Sequence, residues 1–137
     1  MGRVQQPRAE PGGYLSPGQW ALWFLIAHTS RDDWRMRRPG VYPNSGVATA
    51  RTVGVQRAHM RAISFTVIVD VWVGDDDDAL ASAEDDCAEA WQALIDAPYA
   101  EKTVYTARSV SGPQLISDPS DPGGLRWQAS VTVAVET

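Results

Sequence analysis

The clearest pattern along the chain is an alternation of apolar and polar positions, which is typical of a β-strand with one buried face. The longest example covers residues 63–73, where Ile, Phe and Val occupy every second position. The other face of this strand carries Ile68, Asp70 and Trp72, so it is partly apolar as well. We therefore expect another part of the protein to cover that end of the strand, and we expect the isolated Asp70 to pair with an arginine.

Three other segments share the alternation and predict three further strands. Residues 125–135 alternate strictly, whereas residues 103–110 and 47–55 do so less regularly. A Pro- and Gly-rich segment, residues 111–124, separates the last two strands and predicts a loop of about fourteen residues, a length at which loops are usually functional or disordered.

Apolar residues at spacings of three and four predict a helix from about Asp75 to Ile95, and Pro98 ends it. The four aspartates 75–78 lie at its start, where they favour the positive end of the helix dipole and supply an N-cap. Calcium binding by this run is the weaker interpretation, because the EF-hand spacing of ligands is absent. The predicted core stripe consists of Leu80, Ala83, Cys87, Ala90, Trp91, Leu94 and Ile95.

The first forty residues have a different character. Residues 1–15 are rich in Pro, Gly and Arg and predict a flexible arm or one ordered by a partner. Ser16, Pro17 and Gln19 form a helix-start signal, and the apolar block 20–26 that follows fits a buried helix better than a buried strand. Residues 28–46 contain two Pro/Gly turns and predict a loop.

These elements predict an α+β fold: a mainly antiparallel sheet of about four to five strands, with one long amphipathic helix packed on one face, plus an N-terminal arm and a short helix. The domain division that follows is an arm, residues 1–15, and a single α+β domain, residues 16–137. A length of 137 residues suits one domain.

The composition bears on where the protein is made and on what it binds. Residues 1–60 hold eight arginines and three acidic residues, whereas residues 61–137 hold four basic and fourteen acidic residues. Such an asymmetry favours head-to-tail attraction between copies, unless the charges simply solvate different faces. Six tryptophans in a short chain weakly favour assembly. The polar N-terminus has no signal-peptide pattern and no apolar run is long enough for a membrane span, so we expect a soluble protein made in the cytosol.

No constellation of catalytic residues stands out, so we expect a non-enzymatic protein without cofactor or metal. The histidines, His28 and His59, are far apart in the sequence and lack other ligands at metal-binding spacing. Cys87 is the only cysteine and lies in an apolar stripe, which indicates a buried thiol rather than a reactive one.

From about residue 40 onward the chain resembles the tail terminators of siphophages, also called tail-completion or head–tail joining proteins. The resemblance covers residues 40–137 and rests on the order of the elements. It is carried by the turn Gly40-Val41-Tyr42-Pro43, the strand near Val53-Gly54-Val55-Gln56, the strand Phe65–Val73, the acidic helix Asp75–Ile95 and the last strand with Arg126-Trp127-Gln128-Ala129-Ser130-Val131-Thr132-Val133. Its first forty residues depart from the family, whose members open with an ordinary amphipathic helix.

This resemblance implies a structural virion protein of the tail and neck, assembled in the host cytoplasm. Copies would form a ring, expected to be a hexamer, that caps the tail tube, stops its polymerisation and joins it to head–tail connector proteins. A closed ring requires a heterologous interface, to which charge attraction and free strand edges would contribute. The candidate interface residues are Trp20, Trp23, Trp34, Arg35, Arg37, Arg38, Asp75, Asp76, Asp85, Asp86, Pro113, Asp118 and Asp121. Core packing is the alternative for Trp20 and Trp23.

Three other functions stay open. The first is another connector or stopper ring of the phage neck. The second is a small α+β ligand-binding domain, which needs a buried polar cluster that the sequence does not indicate. The third is a nucleic-acid binder that uses the basic patch Arg31, Arg35, Arg37 and Arg38, against which the overall acidity argues. No sequence-specific nucleic-acid partner and no membrane partner is expected.

Overall fold

A computed structural model describes residues 16–41, 43–117 and 124–137. It shows an α+β fold with three helices and a five-stranded mixed sheet. The helices are α1 (Pro17–His28), α2 (Ala79–Ile95) and α3 (Ala97–Ala100), and the strands are β1 (Arg35–Met36), β2 (Ala48–His59), β3 (Ala62–Trp72), β4 (Val104–Ile116) and β5 (Arg126–Glu136). The predicted arm, residues 1–15, lies outside the described residues.

The strand order is β1-β2-β3-β5-β4, so the last strand of the chain inserts beside the centre of the sheet. Strands β3 and β5 pair antiparallel and without interruption from Ala62↔Glu136 to Trp72↔Arg126. Three of the four strand pairings are antiparallel, as predicted, but β1 pairs with β2 in parallel, so the sheet is mixed. The sequence missed β1 because two residues between turns carry no alternation to recognise.

The first helix begins as the sequence predicts. The Ser16 hydroxyl accepts a hydrogen bond from the Gln19 backbone N–H, and the Gln19 side chain accepts one from the Ser16 backbone N–H. This reciprocal pair satisfies two donors that a helix start otherwise leaves open. Helix α1 then buries residues around most of its circumference, which explains why its sequence shows no polar face.

Helix α2 uses its predicted stripe only in part. Ala83, Cys87, Ala90 and Leu94 are buried, but Leu80 is exposed. The helix begins after the aspartate run, with Asp78 at the N-cap position, although the Asp78 side chain makes no capping hydrogen bond. The chain then continues as the short helix α3, in which Pro98 occupies the first turn.

One face of the sheet holds the core. Inward residues of β2, β3 and β5 pack with α1 and α2 in a single apolar cluster that includes Trp20, Phe24, Phe65 and Leu94. Because side chains alternate along a strand, the intervening residues of β3 and β5 lie on the opposite face, away from the cluster that holds the buried residues of α1 and α2. We call this second surface the open face.

The predicted loop 111–124 is shorter than expected, because β4 continues through Gly112, Pro113 and Gln114 to Ile116. The pairing of β4 with β5 is irregular between Ser109 and Gln114, where register shifts absorb extra residues. Proline is compatible with an edge strand, where one side of the backbone has no partner strand. Asp118 and Asp121 lie outside the described residues.

Candidate interaction site

The tryptophans predicted as interface anchors belong to the core of the protomer. Trp20, Trp23 and Trp34 are 2%, 6% and 4% exposed, so their placement on an outer surface is corrected. Trp20 stacks on Phe24 with ring centroids 5.0 Å apart, and the Trp34 indole donates a hydrogen bond to the Thr29 hydroxyl. These three tryptophans therefore carry no argument for assembly.

The arginines of the predicted basic patch have separate roles. Arg31 is an internal connector: it pairs with Asp33 at 2.8 Å and with Asp86 of α2 at 3.1 Å, and it donates a hydrogen bond to the Gly46 carbonyl. The hydrogen bond with Asp33 raises the pKa of Arg31 and lowers that of Asp33. Arg31 and Asp86 thus fasten the segment after α1 to α2 and are not free for a partner.

Asp70 is fully buried on the open face and is paired with arginine, as the sequence predicts. Its Oδ1 atom accepts hydrogen bonds from Arg126 Nε at 3.0 Å and from the Gln128 amide at 2.8 Å. Arg37 Nη1 lies 3.8 Å from its Oδ2 atom, which has no hydrogen-bond partner among the described residues. A buried carboxylate requires such compensation, since desolvation without a partner is costly.

Trp72 lies beside Asp70 and is covered in the way that the sequence predicts for this end of β3. The guanidinium groups of Arg37 and Arg126 lie over its ring, 4.8 and 5.4 Å from the centroid. These are cation–π distances, and the side chain is 0% exposed. Both arginines therefore shield the indole, and Arg126 also donates a hydrogen bond to the carboxylate. The sequence does not indicate a buried polar cluster, so this one is a correction.

Next to this cluster lies a cleft of about 470 Å³ at the edge of the sheet. Arg35, Arg37 and Arg38 line it together with Asn44 and Thr49, and its apolar wall consists of Met36, Val41, Pro43 and Val47. Thr49 is 1% exposed, and its hydroxyl oxygen has no hydrogen-bond partner among the described residues. We call this feature the basic cleft. The parallel pairing of β1 with β2 places Arg35 next to Thr49, a contact that sequence alone does not reveal.

The acidic candidates lie partly beside this cleft. Asp75 and Asp76 are exposed, and Asp75 accepts a hydrogen bond at 3.3 Å from Ser45, the neighbour of the cleft residue Asn44. Asp85 is exposed on α2. The two halves of opposite charge therefore meet at one end of the sheet, and part of the asymmetry is used in pairs within the chain, such as Arg31–Asp86 and Arg126–Asp70.

Two strand edges are free among the described residues. The side of β2 away from β3 pairs with β1 only at Thr49 and Ala50, so most of β2 has an open edge. Strand β4 is the other edge of the sheet. Both edges carry exposed apolar side chains: Val53 and Val55 on β2, and Tyr105, Val110 and Leu115 on β4.

The described ranges hold no group of three or more His, Cys, Asp or Glu side chains that is arranged to bind a metal ion. Cys87 is buried, and burial raises the pKa of its thiol to about 12. His28 forms a hydrogen bond within the chain, with its Nε2 atom 2.8 Å from Glu101 Oε1. Of the helices in those ranges, none is both long and apolar enough to cross a membrane.

The chain matches no protein-family model and no curated protein.

Proposed function

We propose that the protein is a structural component that assembles with copies of itself into a ring, and that this ring is the terminator of a phage tail tube. The observation that carries the proposal is the pair of free strand edges on opposite sides of one sheet. The β2 edge of one copy joined to the β4 edge of the next makes a heterologous contact, and such contacts close into a ring when the rotation per copy allows it. The role as a tail terminator is supported by the order of elements along the chain, on which the resemblance to that family rests.

Parts of both edges have features of an interaction surface. Val55 and Val110 are 55% and 58% exposed. Natural sheets usually protect long edges, because unpaired N–H and C=O groups attract other strands. On β4 the irregular pairing and Pro113 limit regular addition to the segment around Thr106–Ser109. This limit favours one defined register over indiscriminate pairing.

The solution mass measured by light scattering over a concentration series tests the assembly. A mass that approaches six subunits is the expected result, and a strict dimer at every concentration contradicts the ring. The variant Val110→Lys should shift the mass toward one subunit, because a lysine on an edge opposes strand addition. The matched control is Leu80→Lys, which places the same charge on an exposed position of α2 and should leave the mass unchanged.

Capping of the tail tube needs a separate test, because a stopper ring of the phage neck would share the assembly behaviour. Purified tail-tube protein is allowed to polymerise with and without the protein, and tube lengths are measured by electron microscopy. Shorter tubes with density at one end support a terminator. Unchanged tubes, together with binding to a connector protein, would favour the stopper instead.

The second candidate, a small ligand-binding domain, is favoured by one observation. The buried cluster around Asp70 and the adjoining basic cleft supply the convergent polar groups that a binding site requires.

A further inference from the structure

We propose that the basic cleft binds a single carboxylate attached to an apolar body, such as a free aliphatic acid or an acidic side chain beside an apolar residue in a peptide. The proposal does not depend on ring assembly, since it concerns side chains of one protomer.

The positive charge that lines the cleft favours the binding of an anion. Three arginines, Arg35, Arg37 and Arg38, line it, and the nearest buried acid, Asp70, already accepts hydrogen bonds from Arg126 and Gln128. Of the three, Arg37 alone approaches Asp70, at 3.8 Å, which is beyond hydrogen-bond distance. Arginine binds carboxylates through paired N–H donors, so the cleft offers more donors than the described residues use.

Thr49 provides the independent observation. Its side chain lines the cleft, its exposed fraction is 1%, and its hydroxyl oxygen has no hydrogen-bond partner among the described residues. Arg37 Nε is unpartnered in the same part of the molecule. Buried polar atoms are nearly always hydrogen-bonded in native proteins, and the Thr49 hydroxyl lines the cleft, so it can donate to an acceptor that a ligand supplies there.

The wall and the surroundings define the kind of anion. Met36, Val41, Pro43 and Val47 form an apolar side that a bare inorganic ion would leave uncovered. The exposed aspartates that begin at Asp75 lie at the end of the sheet near Asn44, because Asp75 and Ser45 are hydrogen-bonded. These aspartates would repel a polyanion such as DNA, because they are close enough that salt does not screen their charge. One carboxylate can still enter between the arginines. The apolar wall and the acidic neighbours together favour a monovalent organic anion.

NMR titration of the full chain tests the proposal. The probes are 4-methylpentanoate and the blocked tripeptide acetyl-Leu-Asp-Leu-amide, with 4-methylpentanamide as the uncharged control and inorganic phosphate as the competing oxyanion. We expect saturable shifts of backbone amide signals in residues 35–38 and 47–49 for at least one carboxylate probe, and none for the amide. If only the free acid saturates the site, the natural carboxylate is a small molecule. If the tripeptide binds more tightly, the carboxylate belongs to a protein segment.

The variants separate binding from stability. Arg38→Gln and Thr49→Val should each weaken carboxylate binding about tenfold, the usual effect of one lost hydrogen bond to a charged group. Arg38 is exposed, so its substitution should not disturb folding. Arg61→Gln, an exposed arginine at the turn between β2 and β3, is the matched control and should bind as the original protein does. If the carboxylates shift no signal in the cleft, if phosphate binds more tightly than both, or if Arg38→Gln binds as well as Arg61→Gln, the proposal is overturned.

Discussion

The two faces of the sheet are stabilised in different ways. The face under α1 and α2 is an apolar core in which Phe65, Val67 and Val69 of β3 are at most 1% exposed. The open face buries Asp70 and Trp72 of the same strand just as completely, yet both lie outside the apolar cluster that holds α1 and α2. Long arginine side chains and a glutamine provide the cover there.

This difference shows that burial on the open face depends on charge pairing. An apolar core is stabilised by the removal of hydrocarbon from water, in proportion to the area buried. A buried ion pair recovers its desolvation cost only with good geometry and further hydrogen bonds. Substitutions on the helix-covered face should therefore lower stability by creating cavities. Substitutions on the open face should lower it by leaving a buried charge without its partner.

The largest effect is expected on the helix-covered face. Leu94→Ala should lower the free energy of unfolding by about 3–5 kcal/mol, because Leu94 is fully buried and the substitution leaves a cavity. Leu80→Ala makes the same change at a 45% exposed position of the same helix and should cost less than about 1 kcal/mol. Urea unfolding followed by circular dichroism measures both. Equal costs would mean that α2 does not pack as described.

On the open face, Asp70→Asn should lower the free energy of unfolding by about 2–3 kcal/mol, because it removes the charge that compensates Arg126. Asp85→Asn, at an exposed position of α2, is the matched control and should change stability by less than about 0.5 kcal/mol. A double-mutant cycle with Arg126→Gln isolates the coupling of the pair. Additive effects of the two substitutions would contradict an energetic role for the ion pair.

The buried thiol gives the helix-covered face a pH dependence. Burial raises the pKa of Cys87 from 9.0 to about 12, so the fold favours the neutral thiol. The contribution of the neutral thiol to the free energy of unfolding is complete below its ordinary pKa. It is lost as the pH rises toward the pKa of the folded state, with a slope of up to about 1.4 kcal/mol per pH unit. Unfolding midpoints between pH 8 and pH 11 should fall more steeply for the original protein than for Cys87→Ala. Parallel slopes, or rapid alkylation of Cys87 in the folded state, would contradict this.

The smallest effect concerns the free edge of β2. Gly54 has a φ of +68° at a register shift in the pairing with β3, a conformation that other residues adopt with strain. Gly54→Ala should cost about 1 kcal/mol. Gly74→Ala is the control, since its added carbon would meet Ala79 at 3.7 Å, an ordinary contact, and should change stability by less than about 0.5 kcal/mol. Both changes are measured by thermal unfolding, and equal shifts would show that the edge relaxes around the new side chain.

Local signals in the sequence predicted several parts of the fold. The capping box at Ser16 and Gln19, the alternation along β3 and β5, and the buried stripe of α2 around Cys87 are all present. Each depends on residues close together in the chain, where periodicity and capping act directly. The pairing of Asp70 with arginine was predicted because an acid that stands alone on a strand needs a countercharge, although its partner was not identified.

The sequence by itself determined the α+β class, the start of α1 and the inward faces of its longest strands, because these follow from local periodicity. Only the tertiary structure decided that Trp20, Trp23 and Trp34 lie inside, that β5 enters between β3 and β4, and that Arg35, Arg37 and Thr49 meet at one cleft. Those features depend on which distant segments pair. The parallel contact of two-residue β1 with β2 is the clearest case, since its register comes from the packing of the whole sheet and not from its own sequence.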